Sequence, residues 1–240
     1  MKFQTLLVRG TLIKRYKRFL ADVTLDSGEQ ITANCPNTGS MKGLTEPGCP
    51  VWLSTSDNPK RKYAHTFEMI EVDRGDGPVI VGINTGHPNK LVEEGIVSGR
   101  IKELKGYPVL KREQKYGQNS RIDILLAKSE EPDAERCYVE VKNVHLLRQK
   151  SRAEFPDSVT SRGAKHLGEL ADMVEQGHRA VMVYLVQRSD AKTFSFADDI
   201  DPAYVEAFHA ATARGVEALV YGCDVSPDGI EVKRKLRLIT

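Results

Sequence analysis

Four cysteines in 240 residues, none spaced as C-x-x-C, leave no zinc ribbon and no thioredoxin-type dithiol to be read. Cys137 and Cys223 lie in apolar, strand-like runs and are expected as buried thiols. Cys35 and Cys49 flank one loop and are expected to stay reduced. No stretch approaches the roughly 18 consecutive apolar residues of a membrane span. The apolar run within the first ten residues is shorter than a signal peptide needs, so the expected location is cytoplasmic, with no membrane partner. The chain has no Gly-x-x-x-x-Gly-Lys-Ser/Thr loop, no Rossmann glycine fingerprint, no Gly-x-Ser-x-Gly elbow and no H-E-x-x-H helix. P-loop nucleotide hydrolysis, dinucleotide binding, serine-hydrolase chemistry and zinc-protease chemistry are thereby set aside. There is no helix-turn-helix pattern, which weakens sequence-specific operator reading. Charge of one sign is also scarce overall: the net charge is only +2, so any binding of polyanions rests on local clusters.

What is present is an ordinary soluble composition, 40% hydrophobic and 28% charged, in a chain long enough for one large or two small domains. The first third reads as β-rich. Strand-like stretches run from Leu12 to Leu25, from Gln30 to Asn34, from Val51 to Thr55 and from Phe67 to Val72, with a turn at Asp26-Ser27-Gly28. Several short strands without a helix suggest a small barrel, and a five-stranded oligonucleotide-binding barrel fits the length. The expected division is a barrel over residues 1–82 and a second domain over 83–240. Asn-Thr-Gly occurs at 37–39 and again at 84–86; the reading preferred is two unrelated turns, not an internal repeat.

The second part alternates helix and strand. A helix is expected from Asn89 to about Leu104, although Gly95 and Gly99 weaken it. Ser161 is the expected cap of a helix from Arg162 to Gln176, with Leu167, Leu170, Ala171 and Val174 on one stripe. Ala180–Val186 reads as a buried α/β strand. Asp201 and Pro202 open a further helix that Gly215 closes. Ala218–Tyr221 and Ile230–Ile239 are the final strands.

The chemistry concentrates in two strand-like segments, Ser120–Leu126 and Cys137–Asn143. Side chains alternate along a strand, so Glu140 and Lys142 share a face while Val139 and Val141 point into a core. Asp123, between Ile122 and Ile124, is expected on the face opposite to them. If the strands pair, two carboxylates and an ammonium converge. Carboxylate oxygens suit a hard cation such as Mg²⁺ or Mn²⁺, and an adjacent lysine can orient the attacking water in phosphodiester hydrolysis. The plainer alternative for Glu-x-Lys is a surface ion pair of little energetic consequence.

Other groups have two readings each. Glu94 is chosen over Glu93 as a further metal carboxylate on the first helix; the alternative is a solvated helix face. Lys165 could meet phosphate beside the site, or could only stabilise its helix through Glu169 four residues on. His166 is read as a hydrogen-bonded structural histidine in preference to a general base. Gln187 ends the buried strand and could reach the site. Arg15, Tyr16, Lys17 and Arg18 form one cluster of cations with an aromatic ring, and Lys60, Arg61 and Lys62, followed by Tyr63, form another. Cations release counterions from phosphates and rings stack on bases; the competing reading is a solvated charged strand.

The order of helix, strand with Asp, strand with Glu-x-Lys, helix and strand resembles the PD-(D/E)xK nuclease superfamily, with Ile122 where a proline often precedes the aspartate. Asn34–Met41, Val81–Thr85, Ser120–Asp123, Tyr138–Val144, Phe155–Thr160 and Arg162–Leu167 together resemble the sugar fermentation stimulation protein A family over nearly the whole chain. That resemblance implies an α/β protein. An oligonucleotide-binding-type barrel would precede a PD-(D/E)xK nuclease-like domain with a central mixed sheet flanked by helices. It implies DNA binding and a link to sugar (maltose) metabolism. Asp123 and Glu140 match the metal carboxylates and Lys142 the catalytic lysine. Arg121 could hold phosphate or restrain Asp123, and Asp157 could shape the site or cap the next helix. Ser40 stands where the resemblance leads one to expect a basic residue, which counts against a phosphate contact from that loop. The expected function is a Mg²⁺-dependent DNA nuclease. The alternative is a DNA-binding regulator without turnover. A homodimer is compatible with the sequence.

Overall fold

The computed structural model describes residues 1–117 and 120–239. The first six strands are β1 (Val8–Tyr16), β2 (Leu20–Leu25), β3 (Gln30–Asn34), β4 (Pro50–Thr55), β5 (His65–Asp73) and β6 (Pro78–Gly82). They lie in the order β3-β2-β1-β4-β5-β6, and β3 also pairs with β5 where Asn34 meets Thr66. That last pairing closes β1–β5 into a barrel and removes its free edges. Alternation along each strand fills the interior with Leu12, Val23, Ala33, Leu53, Phe67 and Ile70. The barrel expected from short strands and turn signals is present.

Beyond it run α1 (Pro88–Val97), β7 (Val109–Tyr116), β8 (Ser120–Ala127), β9 (Arg136–Val144), β10 (Leu146–Gln149) and β11 (Arg152–Phe155). They are followed by α2 (Ser161–Glu175), β12 (Arg179–Val186), β13 (Thr193–Phe196), α3 (Pro202–Ala213), β14 (Glu217–Ser226), β15 (Gly229–Lys235) and β16 (Arg237–Ile239). The central sheet has the order β15-β14-β12-β9-β8-β7. Its middle strands β9, β12 and β14 are parallel and its flanks antiparallel. Strands covered on both faces need apolar residues throughout, and every residue from Ala180 to Val186 is buried. On one face Leu91, Val92 and Ile96 of α1 pack on Val139, Val141 and Val183. On the other, Leu167 and Leu170 of α2 and Phe208 of α3 pack on Met182 and Tyr184. A small sheet, β10-β11-β13-β16, adjoins the second core.

Several local expectations change. The first helix stops at Val97, because Gly99 turns the chain at φ +71; only a short 3-10 turn follows at Lys102–Leu104. Thr160, not Ser161, caps α2, its side chain accepting from the Gly163 amide at 3.1 Å. The last expected strand breaks at Leu236, and its two pieces join different sheets. Ile122 and Ile124 enter opposite cores, so β8 turns over at Asp123. Glu113, flanked in the ladder by the pairs Arg112–Ile124 and Gln114–Ile122, has φ +54 at that point. All four cysteines are free thiols.

The two units meet closely. The Gly82 amide donates to the Gln187 carbonyl at 2.9 Å, and Val81 bridges Arg188. The chain start also crosses over: Lys2 pairs with Gly229, and the Met1 amino group donates to the Ile230 carbonyl at 2.6 Å. A Cβ on Gly82 would sit 2.7 Å from Oε1 of Gln187. That amide cannot simply swing away, because it is fully buried and donates to Asn143 Oδ1 at 2.7 Å. Gly82→Ala is therefore expected to destabilise the fold by about 1–3 kcal/mol, checked by urea denaturation against the parent.

Candidate active site

β8 and β9 pair antiparallel through Ile124–Val139, and their ladder ends where Asp123 begins. The Asp123 carboxylate continues the contact with its side chain. Oδ2 accepts from the Val141 amide at 2.7 Å, and Oδ1 accepts from Asn89 Nδ2 at 2.8 Å. Asn89 stands in the first turn of α1. Burial, and then the charge of Glu140, push the Asp123 carboxyl above the ordinary aspartate range; the Val141 amide, Asn89 and Lys142 oppose this only partly.

Glu140 projects from the middle of β9 toward α2 and is only 3% exposed. Burial alone would raise its carboxyl. Hydrogen bonds from His166 and Lys142 outweigh burial and hold it below the ordinary glutamate range. Lys142 Nζ donates to Oε1 at 2.7 Å, and His166 Nδ1 lies 2.5 Å from the same oxygen. Arg162 can only donate, and its Nε bonds His166 Nε2 at 3.3 Å. A neutral His166 ring therefore carries its proton on Nδ1, toward Glu140. Both donors converge on one oxygen, and Glu140 Oε2 is buried with no hydrogen-bond partner.

A second buried carboxylate, Glu169, sits one turn of α2 beyond His166. Neither of its oxygens accepts a hydrogen bond, and Lys165 Nζ is 3.4 Å from Oε1. The Tyr116 hydroxyl is likewise buried without a partner, and burial followed by the charges of Glu140, Glu169 and Asp123 pushes it far above the ordinary tyrosine range. One tyrosine thus feels three carboxylates. Among the described residues, no group of three or more His, Cys, Asp or Glu side chains is arranged to hold a metal ion. The residues nevertheless fit a divalent cation of the kind that takes one or two carboxylates and keeps its waters. Negative charge accumulates here, and buried carboxylate oxygen is left without donors.

The structure brings Asp123, Glu140 and Lys142 together, with Lys165 on the helix behind. Glu94 is not brought to the group. Its carboxylate lies 2.6 Å from the Met1 amino group, because a helix turns about 100° per residue and Asn89 holds the face toward Asp123. Arg121 is exposed on β8, opposite Lys115. Gln187 bonds Asn143 instead of the carboxylates. In the barrel, Arg15 is turned inward: its Nη2 donates to the carbonyls of Arg18, Asn37 and Gly39 at 2.8–2.9 Å. The Tyr16 hydroxyl donates to Asp22 at 3.0 Å. Lys17 and Arg18 stay exposed at the β1–β2 turn, with φ of +49 and +65. Lys60, Arg61 and Lys62 are exposed in the β4–β5 loop, where Arg61 donates to Thr66 and Lys62 lies over the Tyr63 ring. Asn89 and Tyr116 join the site without standing out in the sequence. The polar residue just after Pro88 was a signal for the first; the strand that carries the second has too many charged residues to announce itself.

Asp157 links the barrel to this site. Its carboxylate accepts from Ser40 Oγ at 3.0 Å and the Met41 amide at 3.2 Å, and lies 3.5 Å from His145 Nε2. It does not cap α2; Thr160, three residues on, does so. These partners outweigh burial and hold Asp157 well below the ordinary aspartate range. Ser40 therefore makes an interdomain contact, which explains a hydroxyl at this position.

Two family models match the chain: the SfsA N-terminal OB domain over residues 13–83 and the sugar fermentation stimulation protein RE domain over residues 86–229. A sugar fermentation stimulation protein homolog of Rhodospirillum centenum is 58% identical over 238 residues, covering 99% of each chain. A homolog from Agrobacterium fabrum is 56% identical over 238 residues, 99% of this chain and 97% of its own. The solved structure of Pyrococcus furiosus SfsA in complex with Ca²⁺ superposes with a TM-score of 0.86 at 26% identity, over 100% of this chain and 98% of that one. Among the described residues, no helix is long and apolar enough to cross a membrane.

Asp157→Asn should destabilise the protein by about 2 kcal/mol at neutral pH, since it weakens the acceptor of Ser40 Oγ and the Met41 amide and removes the charge beside His145. A carboxyl whose folded value is depressed stabilises in full above its unfolded value and loses that contribution as pH falls toward the folded one. The gap between parent and variant should then narrow below about pH 4, measured as denaturation midpoints across pH.

Proposed function

Because the chain belongs to the sugar fermentation stimulation protein family, we propose that it is a cytoplasmic DNA-binding protein that hydrolyses phosphodiester bonds at Asp123, Glu140 and Lys142 with Mg²⁺ or Mn²⁺. The observation that carries this reading is the asymmetry of Glu140: two donors sit on Oε1, while the buried Oε2 has no partner. Such an oxygen, next to a second buried carboxylate, suits a ligand cation. The relative solved in complex with Ca²⁺ adds support for a divalent ion in this family.

Asp123 and Glu140 would hold the cation, which when bound polarises the phosphate and makes a water nucleophilic near neutral pH. The protein's own groups do the rest. Asn89 and the Val141 amide fix the Asp123 carboxylate. His166 and Lys142 keep Glu140 charged despite burial. Lys142, 16% exposed, can offer a proton to orient the incoming water or to balance charge developing on the phosphate. Arg162, exposed at the start of α2, is available to phosphate through the nitrogens that do not bond His166. Lys17, Arg18, Lys60, Arg61, Lys62, Arg121 and Lys165 would grip the strand backbone without reading sequence; Arg15 and Tyr16 would hold the loops that present them.

A second reading, a DNA-binding regulator without turnover, is favoured by one observation. Lys142 already lies 2.7 Å from Glu140 Oε1 and gives that carboxylate a counter-charge without a metal cation.

Labelled single- and double-stranded DNA incubated with Mg²⁺, Mn²⁺ or EDTA separates the two. Metal-dependent cleavage is expected, reduced about a hundredfold or more in Lys142→Ala and lost in Glu140→Ala, with DNA binding retained in both. Binding by the parent with no cleavage under any metal condition would select the regulator. DNA affinity should fall steeply between low and moderate salt in either case.

A further inference from the structure

A groove of about 560 Å³ separates the β5–β6 hairpin of the barrel from the β10–β11 hairpin of the second unit. It shares no residue with the Asp123–Glu140 cluster. Val72, Val79 and Leu147 give it apolar lining, and Arg74, from the barrel hairpin, and Lys192, from the β12–β13 connection, line it as well. Lys150 and Asp76, 2.6 Å apart, also line it and neutralise each other. The remaining acid, Asp190, is taken: both its oxygens accept from Arg188, a fully buried guanidinium, at 2.6 and 2.7 Å. Arg74 and Lys192 consequently have no ion-pair partner among the described residues. The Arg74 guanidinium lies against Gly43, where a Cβ would come within 2.5 Å of Nη2, and Gly43 has φ +73. Burial and then the charge of Arg188 weaken the proton affinity of Arg74, and the charge of Asp190 opposes this only partly.

We infer that this groove binds a small organic phosphate, with the dianion between Arg74 and Lys192 and the apolar part of the molecule on Val72, Val79 and Leu147. Two unmatched cations call for about two negative charges, which a phosphomonoester supplies near neutral pH. The guanidinium fork matches phosphate oxygens, and the volume lies in the range of small-ligand sites. A DNA strand offers only one charge per phosphate. Arg74 belongs to the barrel and Lys192 to the second unit, so a bound dianion ties the two together.

The test is calorimetric titration of the full chain with phenyl phosphate, inorganic phosphate and phenol. Phenyl phosphate is expected to bind, inorganic phosphate more weakly, and phenol not at all. Arg74→Gln and Lys192→Gln should each weaken phenyl phosphate about tenfold or more and leave affinity for a labelled DNA duplex unchanged. No binding of phenyl phosphate at millimolar concentration overturns the proposal, as does binding that neither substitution weakens. If the substitutions lower DNA affinity instead and phenyl phosphate does not bind, these cations belong to the nucleic-acid track and the proposal is again overturned.

Discussion

Glu140 carries charge where it is all but withdrawn from solvent, and the elements around it are arranged to stabilise that charge. An ion moved into a protein interior loses several kcal/mol of hydration unless donors replace the water. The donors come from two places: Lys142, two residues along the same strand, and His166, from the helix packed above. For His166 to reach, α2 must start at the right height. That height is set by the Thr160 cap, by the Thr160 amide on Asp201 at 2.7 Å, and by Leu167 and Leu170 in the core. The charge thus depends on the register of a helix as much as on the strand that bears it.

The barrel is part of the same arrangement. Ser40 and the Met41 amide hold Asp157 on the approach to α2, and Arg15 fixes the loop carrying Ser40 by bonding the carbonyls of Asn37 and Gly39. A line of contacts runs from a barrel strand through one loop to the helix that orients His166. The arginine read as a phosphate contact serves this line. Its neighbours Lys17 and Arg18, forced outward by the left-handed turn, keep the electrostatic role.

The central strands were legible because burial on both faces demands unbroken apolar runs, as in Ala180–Val186, and Asp123, Glu140 and Lys142 were legible because strand alternation fixes which side chains share a face. Five strands are not legible in the sequence: β6 is a five-residue strand opened by Pro78, β7 is charged along its exposed length, and β10, β11 and β13 are four residues each. Glu94 was chosen by helical phase alone, and phase does not tell which face meets the sheet; Leu91, Val92 and Ile96 do, and they leave Asn89 toward Asp123. In the sequence the two Asn-Thr-Gly segments are separate turns. Each asparagine accepts from the glycine amide two residues on, at 2.9 and 2.8 Å, and Thr85 Oγ1 donates to the Pro36 carbonyl. They are one local solution used twice and set in contact, a relation that spacing along the chain does not encode.

The chain start pairs with the second unit before the barrel begins. Lys2 lies on Gly229, Phe3 meets the His87 ring edge-on, and the Met1 amino group reaches both Ile230 and Glu94. In connectivity the barrel is therefore an insertion, entered from and returned to one body. A fragment beginning after Gly82 would uncover the start of β15 and leave Glu94 without its cation. Bare strand ends of that kind recruit other chains, so dissection of this protein into halves would report on aggregation before it reported on either half.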